Sequence, residues 1–356
     1  MIAIIGGGPA GIALGLELDK RSISYDLFEA RQLASTWRSV PSGLHVLSPW
    51  WTNVLRFRYA LAVNPFCKPR AEVYLAHLDA MGRRLRGQIF TECQVDGLQP
   101  DGSGRWILDT TRGVKGPYSK VVMATGYFST PRPADPLIIT DGSLPMVHAA
   151  EITDYSALEA MRDGDLPVVV VGRRVTAGQL LLELEDRDIP TALSIRSPME
   201  YRRHGLWASV RETAYFFWEE SQARWTPNLR RPSYPVMDGG RTESLVTSGK
   251  VSVLAAIRSI EGKELLLEDG GKIRAAAVIL ATGYHPSLGL LPDTLVKNEY
   301  GIPCSQGFEI STMPGVHLLG FDNVYDHRSR YLRGIRADAG RLAGMLMLNR
   351  DDAGLK

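Results

Sequence analysis

Ile2-Ala3-Ile4-Ile5-Gly6-Gly7-Gly8-Pro9-Ala10-Gly11 opens the chain, and Tyr25-Asp26-Leu27-Phe28-Glu29 closes the segment that follows. The apolar run predicts a buried strand, the glycines a tight turn, the residues up to Arg21 a helix, and Tyr25 onward a second strand. In such a unit Gly6 allows the turn, Gly8 lets the backbone approach a pyrophosphate, and Gly11 lets the helix pack on the strand. The helix N-terminus then meets the negative charge. Glu29 lies eighteen residues after Gly11, where a carboxylate can accept hydrogen bonds from a ribose diol. A G-x-G-x-x-G alone says little, but here strand, helix and acid are in register, so the segment reads as a βαβ unit for a dinucleotide. The competing reading is a βαβ unit whose glycines serve packing alone.

Composition frames what surrounds this unit. With 356 residues, 44% of them hydrophobic, and a net charge of +2, the chain can bury a large core, and two domains are expected. No basic stripe points to nucleic acid, and no run reaches the roughly eighteen apolar residues of a membrane span. The apolar start has no charged stretch before it and no cleavage site after it, so it reads as a core strand rather than a signal peptide. Cys67, Cys93 and Cys304 are few, odd in number and far apart, which suits a reducing cytoplasm, and no C-x-x-C redox pair is present. No metal site is expected.

Beyond Glu29, residues 32–87 begin with an aromatic-rich stretch, Trp37-Arg38, Leu44 to Pro49 and Trp50-Trp51-Thr52-Asn53, costly to leave exposed and suited to lining a cofactor. A helix starting near Ala71 would bury Val73, Leu75, Leu78, Met81 and Leu85. Residues 88–126 read as short strands and turns: one strand over 89–95, a Pro-Asp-Gly-Ser-Gly turn at 100–104, another strand over 105–110, and a buried strand leading into Ala124-Thr125-Gly126-Tyr127. From Leu166 the plan repeats: Val168-Val169-Val170-Val171-Gly172, a helix near 179–185, a strand over 191–196, and a closing strand into Ala281-Thr282-Gly283-Tyr284. Ala-Thr-Gly-Tyr thus occurs twice, each time about 110 residues after a glycine turn, which reads as an internal repeat of the whole module.

With these motifs in place, the chain resembles the two-dinucleotide-binding-domain flavoproteins, in particular their flavin-containing monooxygenase-like branch within the pyridine nucleotide-disulfide oxidoreductase superfamily. The match is carried by the first glycine turn with Glu29; by Trp37-Arg38 and residues 44–49; by Ala-Thr-Gly-Tyr-Phe-Ser-Thr-Pro-Arg-Pro at 124–133; by Ala-Thr-Gly-Tyr-His-Pro at 281–286; and by the tail Pro314-Gly315-Val316-His317-Leu318-Leu319-Gly320-Phe321-Asp322 with a helix over 333–338. The resemblance implies an α/β fold with two Rossmann-like dinucleotide-binding domains, the second inserted into the first, each with a short β-meander. The FAD-binding domain would be 1–144 with 286–356, and the NAD(P)H-binding-like domain 145–285. Bacillithiol-disulfide reductases share this outline and are the nearest enzymatic rival.

The resemblance also implies roles. Gly6, Gly8, Pro9 and Gly11 would hold the FAD pyrophosphate, Glu29 the adenosine ribose, and Val95 the adenine, with Arg31 and Arg38 also at the FAD site. Thr125 and Gly126 would lie against the cofactor where the chain crosses between domains. Asp322, after Gly320, would meet the ribityl chain, or be a solvated turn. Trp37 would pack beside the isoalloxazine, or be an ordinary core tryptophan. Asn53 would donate a hydrogen bond near the oxygen adduct, or satisfy its own loop. His148 is what survives of a fingerprint before the second module, the alternative being a surface or core histidine.

The second glycine turn departs from the pattern. Gly172 and Thr176 fit and Ala177 replaces the third glycine, but Arg174 stands where the second glycine should be. Its side chain either blocks the backbone's approach to pyrophosphate or turns outward and pairs with phosphate. Ser194 and Arg196, after the second strand, favour the latter and NADPH over NADH. Residues 199–235 mix Tyr201, Trp207, Tyr215, Phe216, Phe217, Trp218 and Trp225 with Arg202, Arg203, Arg224, Arg230 and Arg231. A helix over 207–221 would be a substrate lid, a dimer interface, a membrane-surface contact or plain domain packing. Asp326-His327-Arg328-Ser329-Arg330 reads as a solvated charged loop or as polar contacts near the flavin. The expected activity is NADPH-dependent insertion of one oxygen atom into a small or medium, partly apolar substrate at nitrogen, sulfur or a carbonyl. The alternatives are an NADPH-dependent disulfide or quinone reductase, and a flavin-binding redox sensor or oxidase with a degenerate nicotinamide site. A homodimer is possible.

Overall fold

The computed structural model describes residues 1–134, 138–202, 208–226, 229 and 234–351, without the side chains of 139, 208–213, 224 and 348–351. Arg203, Trp207, Arg230 and Arg231 lie outside the described residues, as does the side chain of Arg224.

Ile2–Ile5 forms a strand with every side chain buried, because four consecutive apolar residues suit a strand covered on both faces. It pairs in parallel with Tyr25–Phe28 on one side and Lys120–Met123 on the other. Gln88–Phe90 lies beyond the first neighbour and Val316–Leu318 beyond the second, and two short antiparallel strands complete a seven-stranded sheet. The second sheet is built the same way around Val168–Val171, which pairs in parallel with Thr191–Ser194 and Ala277–Leu280. Ser252–Leu254 and Met146–His148 occupy its outer positions, giving five parallel strands. Both sheets therefore place the glycine-turn strand centrally, between the strand after its helix and the strand ending in Ala-Thr-Gly-Tyr. A three-stranded meander, Val95–Pro100, Trp106–Thr110 and Lys115–Tyr118, accompanies the first. A second meander, Ile257–Glu261, Glu264–Leu267 and Lys272–Arg274, accompanies the other.

The outer strands exchange between the halves. Val316–Leu318 reaches the first sheet only after the whole second sheet has been traversed, and Met146–His148 enters the second sheet before its glycine turn. The expected start of the inserted segment at 145 leaves out Ile139–Thr140, which already pair with Ser259 and Ile260 of the second meander.

Four local expectations are corrected. Residues 89–95 are not one strand: Glu92 adopts φ 49°, so the chain breaks between Gln88–Phe90, in the parallel sheet, and Val95–Pro100, in the meander. The helix Ala71–Gly82 buries Ala71, Tyr74, His77, Leu78 and Met81, while Val73 is exposed. The apolar-spacing argument missed Tyr74 and His77 because their polar tips hide a large packing surface; the rings sit 4.5 Å from Trp37 and 5.2 Å from Trp50 respectively. The helix in the aromatic segment runs Ala208–Trp225, and the C-terminal helix runs Leu332–Asp351, well past 338. The latter packs along Pro9–Lys20, with Leu14, Ala339 and Leu342 fully enclosed. Among the described residues no helix is long and apolar enough to cross a membrane.

Candidate functional site

Both glycine turns leave the carboxyl ends of central parallel strands, the edge where open α/β sheets place ligands. Gly6 has φ 110°, and a Cβ there would lie 2.5 Å from the Ala124 carbonyl oxygen; Gly172 has φ 148° and the same 2.5 Å approach to Ala281. Each turn is thus pressed onto the end of an Ala-Thr-Gly-Tyr strand. A Cβ on Gly11 would meet the Gly6 oxygen at 1.9 Å, so the helix reaches the turn only because this residue is glycine. Gly8 is different. A Cβ there has nothing within 4 Å, and Gly8 caps Pro9–Lys20 with no side-chain hydrogen bond, leaving the helix N-terminal amides for an anion. The cradle matches a pyrophosphate.

Glu29 is buried and pinned beside this cradle. Its Oε2 accepts from Gly7 N at 2.7 Å, and its Oε1 from Arg31 N at 3.0 Å and Ser35 Oγ at 3.2 Å. Cys93 N donates to the Glu29 carbonyl and Glu92 N to that of Arg31, which brings the approach to Val95 alongside. The Arg31 side chain itself is exposed. From the other end of the chain, Gly320 takes φ 85° and comes against Ala10. Asp322 follows, not as a solvated turn: its Oδ2 accepts from Tyr127 Oη at 2.7 Å, and Arg330 Nη1 donates to both its oxygens at 3.1 Å. Burial, then the Asp322 charge, push the Tyr127 phenol upward, so it stays a donor. Tyr127 was missed in the sequence, although the repeated Tyr of Ala-Thr-Gly-Tyr was an available signal, and Arg330 comes from the charged segment 326–330 that reads from sequence as a solvated loop or as polar contacts near the flavin.

Trp37 lies against Tyr74, and Arg38 is spent on Asp79 and the Leu33 carbonyl. In this aromatic layer Trp51 Nε1 and Tyr74 Oη are buried without partners among the described residues, which leaves polar capacity for a ligand. Asn53 is buried and closed on its own loop: Nδ2 donates to the carbonyls of Ser48 (3.0 Å) and Pro49 (3.2 Å), and Oδ1 accepts from Ser48 Oγ (2.8 Å), while Thr52 Oγ1 beside it gives its one proton to Pro49 O (2.7 Å). Both of its amide protons and its carbonyl oxygen are thereby engaged.

The two Ala-Thr-Gly-Tyr segments meet. Thr125 Oγ1 donates to the Ser287 carbonyl at 2.5 Å, Ser287 N donates to Gly126 O at 2.8 Å, and Ser287 Oγ lies 2.7 Å from Ser129 Oγ and 2.9 Å from Thr130 Oγ1. Arg132 N donates to Gly283 O, and His285 N to Thr130 O. His148 belongs to this junction. Its Nδ1 accepts from Ala150 N at 3.0 Å, so its Nε2 carries the proton and donates to Gly283 O at 3.1 Å. Burial lowers its pKa, which keeps that ring neutral. Both nitrogens are occupied.

At the second turn Arg174 caps Val175–Glu185 with extended backbone, φ −113°, and no side-chain cap. Thr176 follows within the first helical turn. Ser194 does not point to a phosphate: its hydroxyl donates to Ala255 O at 2.9 Å and is buried, whereas Arg196 is exposed.

The sequence profile of the family described as pyridine nucleotide-disulphide oxidoreductase matches residues 3–212, a stretch that spans the first turn, the junction strand and the second turn. The chain belongs to this family. It is an FAD-dependent oxidoreductase of the flavin-containing monooxygenase-like branch, whose flavin monooxygenases use FAD and NADPH. A probable indole-3-pyruvate monooxygenase of Arabidopsis thaliana is 24% identical over 367 residues, covering 91% of each chain. Among solved structures, a flavin-containing monooxygenase from Stenotrophomonas maltophilia has a TM-score of 0.77 at 17% identity, covering 98% of each chain. A bacillithiol disulfide reductase from Bacillus cereus has a TM-score of 0.73 at 19% identity, covering 97% of this chain and 98% of that one. At such identities the structural likeness speaks for the fold.

The family alone did not reveal a buried charge cluster. Glu219 of helix Ala208–Trp225 is fully enclosed and receives Arg333 Nε at 2.7 Å, Tyr215 Oη at 3.0 Å, His327 Nε2 at 3.3 Å and Tyr234 Oη. The segment 326–330 is therefore not a solvated loop: Asp326, His327, Arg328 and Ser329 are all buried. Asp326 and Asp322 pair Arg328 and Arg330 locally, but the acids that close the cluster over this segment, Glu219 and Glu220, come from more than 100 residues away, as in the His327 contact with Glu219 at a separation of 108, so local composition could not show its burial.

Proposed function

We propose that the chain is an NADPH-dependent FAD monooxygenase that inserts one oxygen atom into a small or medium, partly apolar organic substrate. The observation that carries this reading is the meeting of the two Ala-Thr-Gly-Tyr ends, each locked to its own glycine turn, which supports two dinucleotide sites facing one junction. The architecture proposed with it is two Rossmann-like domains, the FAD domain from 1–144 and 286–356 and the nicotinamide domain from 145–285, its boundary drawn back to include Ile139–Thr140. The named target of the Arabidopsis relative, indole-3-pyruvate, has the expected size and apolar ring, and it supports the substrate class.

FAD, when bound, supplies the redox chemistry, taking hydride from NADPH and activating oxygen. The chain supplies everything else. The amides at Gly8 and the start of Pro9–Lys20 hold the pyrophosphate, Glu29 the ribose, and Asp322 the ribityl chain, with Tyr127 and Arg330 fixing the carboxylate. Arg174, Thr176 and Arg196 meet the phosphates of NADPH. Trp37 and the layer of Trp50, Trp51 and Tyr74 exclude water from the reacting centre. Asn53 holds the loop that carries this layer, and His148 steadies the junction rather than transferring a proton.

The test is to mix the yellow holoprotein with NADPH under anaerobic conditions, follow loss of flavin absorbance, then admit oxygen with an aryl-substituted ketone, sulfide or amine present. Bleaching, followed by a product heavier by one oxygen atom, is expected. Bleaching with only disulfide or quinone reduction would leave the reductase standing, and no bleaching with either NADPH or NADH would sink both.

A further inference from the structure

Away from the glycine turns, the described residues line a half-open pocket of about 300 Å³ formed by Glu220, Arg328, Arg333, Arg336, Ala337 and Arg341. That is room for about ten waters at about 30 Å³ each, and reaches the lower end of small-molecule sites. Four guanidinium groups and one carboxylate share its wall. Guanidinium does not discharge, so a fold tolerates such a wall only where partners compensate it.

Three of the arginines are compensated by acids. Arg328 is clamped by Asp326 at 3.2 and 2.8 Å and reaches Glu220 at 2.9 Å, Arg333 holds Glu219 at 2.7 Å, and Arg341 holds Asp338 at 2.8 Å. Asp326, Glu219 and Asp338 are not among the lining residues. Arg336 differs: it donates to the carbonyls of Trp51 at 3.2 Å and Val54 at 3.0 Å, and among the described residues it has no carboxylate within ion-pair distance. Burial draws it down from the usual guanidinium value. On the same wall, Glu220 Oε1 is buried with no hydrogen-bond partner among the described residues. Aromatic rings hold the planar groups in place, Tyr325 lying 4.4 Å from Arg341, and Phe216, Tyr234 and Tyr331 lying 4.9–5.1 Å from Arg333.

The geometry points to a binding site for a small organic carboxylate, its acid group meeting Arg336 and Arg341 and a hydrogen-bond donor of the same molecule meeting Glu220. Planar guanidinium groups match a carboxylate in shape and charge. Glu220 on the wall favours a monoanion over a phosphate dianion, and the cavity exceeds what a bare oxyanion fills.

The site is tested without turnover, so its failure is separate from that of the redox reading. Calorimetric titration of the FAD-loaded full chain, with no nicotinamide cofactor, compares 4-hydroxyphenylacetate, its neutral amide and inorganic phosphate. The acid is expected to bind at least about tenfold more tightly than the amide, as a charge-assisted hydrogen bond implies, and more tightly than phosphate. Arg336→Met is expected to erase the preference for the acid. Because Arg336 also ties down the Trp51–Val54 backbone, Ala337→Glu provides a second variant that removes no hydrogen bond and adds repulsion; it too should lose the acid while keeping the parent's thermal midpoint. Equal binding of acid and amide, no binding of the acid at millimolar concentration, tighter binding of phosphate, or unchanged acid affinity in both variants would each overturn the assignment.

Discussion

At the scale of single residues, the first glycine turn separates what the fold needs from what a cofactor needs. Gly6 and Gly8 sit two positions apart in one motif, yet a Cβ at Gly6 strikes the Ala124 carbonyl and one at Gly8 meets open space. Gly8→Ala should leave the apoprotein within about 0.5 kcal/mol of the parent while weakening FAD binding at least tenfold, read from chemical unfolding and flavin titration. Gly6→Ala, with φ 110° and a backbone clash, should cost about 1–3 kcal/mol or more in the apoprotein itself. If Gly8→Ala bound FAD like the parent, the cradle would lie elsewhere. Glu29 was legible because its spacing from the glycines is local. The particular hydrogen-bond set of Asn53 was not, since its three bonds within a non-repeating loop follow no sequence period.

Among the elements, the helix Ala208–Trp225 shows how composition misleads. Its many aromatics suggest an apolar face, but Phe217, Trp218 and Trp225 are exposed while the carboxylate of Glu219 is fully enclosed. Glu219 ties this helix to Arg333 of the C-terminal helix, beside the buried Phe216 ring that packs on the same guanidinium. Burial alone would raise the Glu219 pKa, but the His327 hydrogen bond, the Arg333 charge and Tyr234 outweigh it and bring it to about 2. A carboxyl depressed in the folded state stabilises the protein above its ordinary value near 4.5, and that contribution is lost as pH falls from about 4.5 towards 2. Glu219→Gln should therefore be less stable than the parent by about 3–5 kcal/mol at neutral pH, leaving Arg333 buried without its counter-ion. The gap should narrow over that acid window in denaturant titrations. A pH-independent gap would show that the acid acts by packing rather than by charge.

In the whole molecule, the junction between the two Ala-Thr-Gly-Tyr ends governs how the halves sit together. Ser287 Oγ touches Ser129 and Thr130 at once, and Ser287→Ala removes both contacts while sparing its backbone bonds. Stability should fall by about 1 kcal/mol, and stopped-flow reduction of the flavin by NADPH should slow several-fold. An unchanged reduction rate would detach the junction from hydride transfer. What the sequence by itself determined is the repeated βαβ plan, its glycine turns and the acid after the second strand, because strand and helix periods and turn glycines act between residues close in the chain. What only the tertiary structure decided is the exchange of outer strands, the Tyr127–Asp322–Arg330 contact across 195 residues, and the burial of segment 326–330. Charges find their partners through space, and a sequence carries no local mark of a neighbour supplied by a distant turn of the chain.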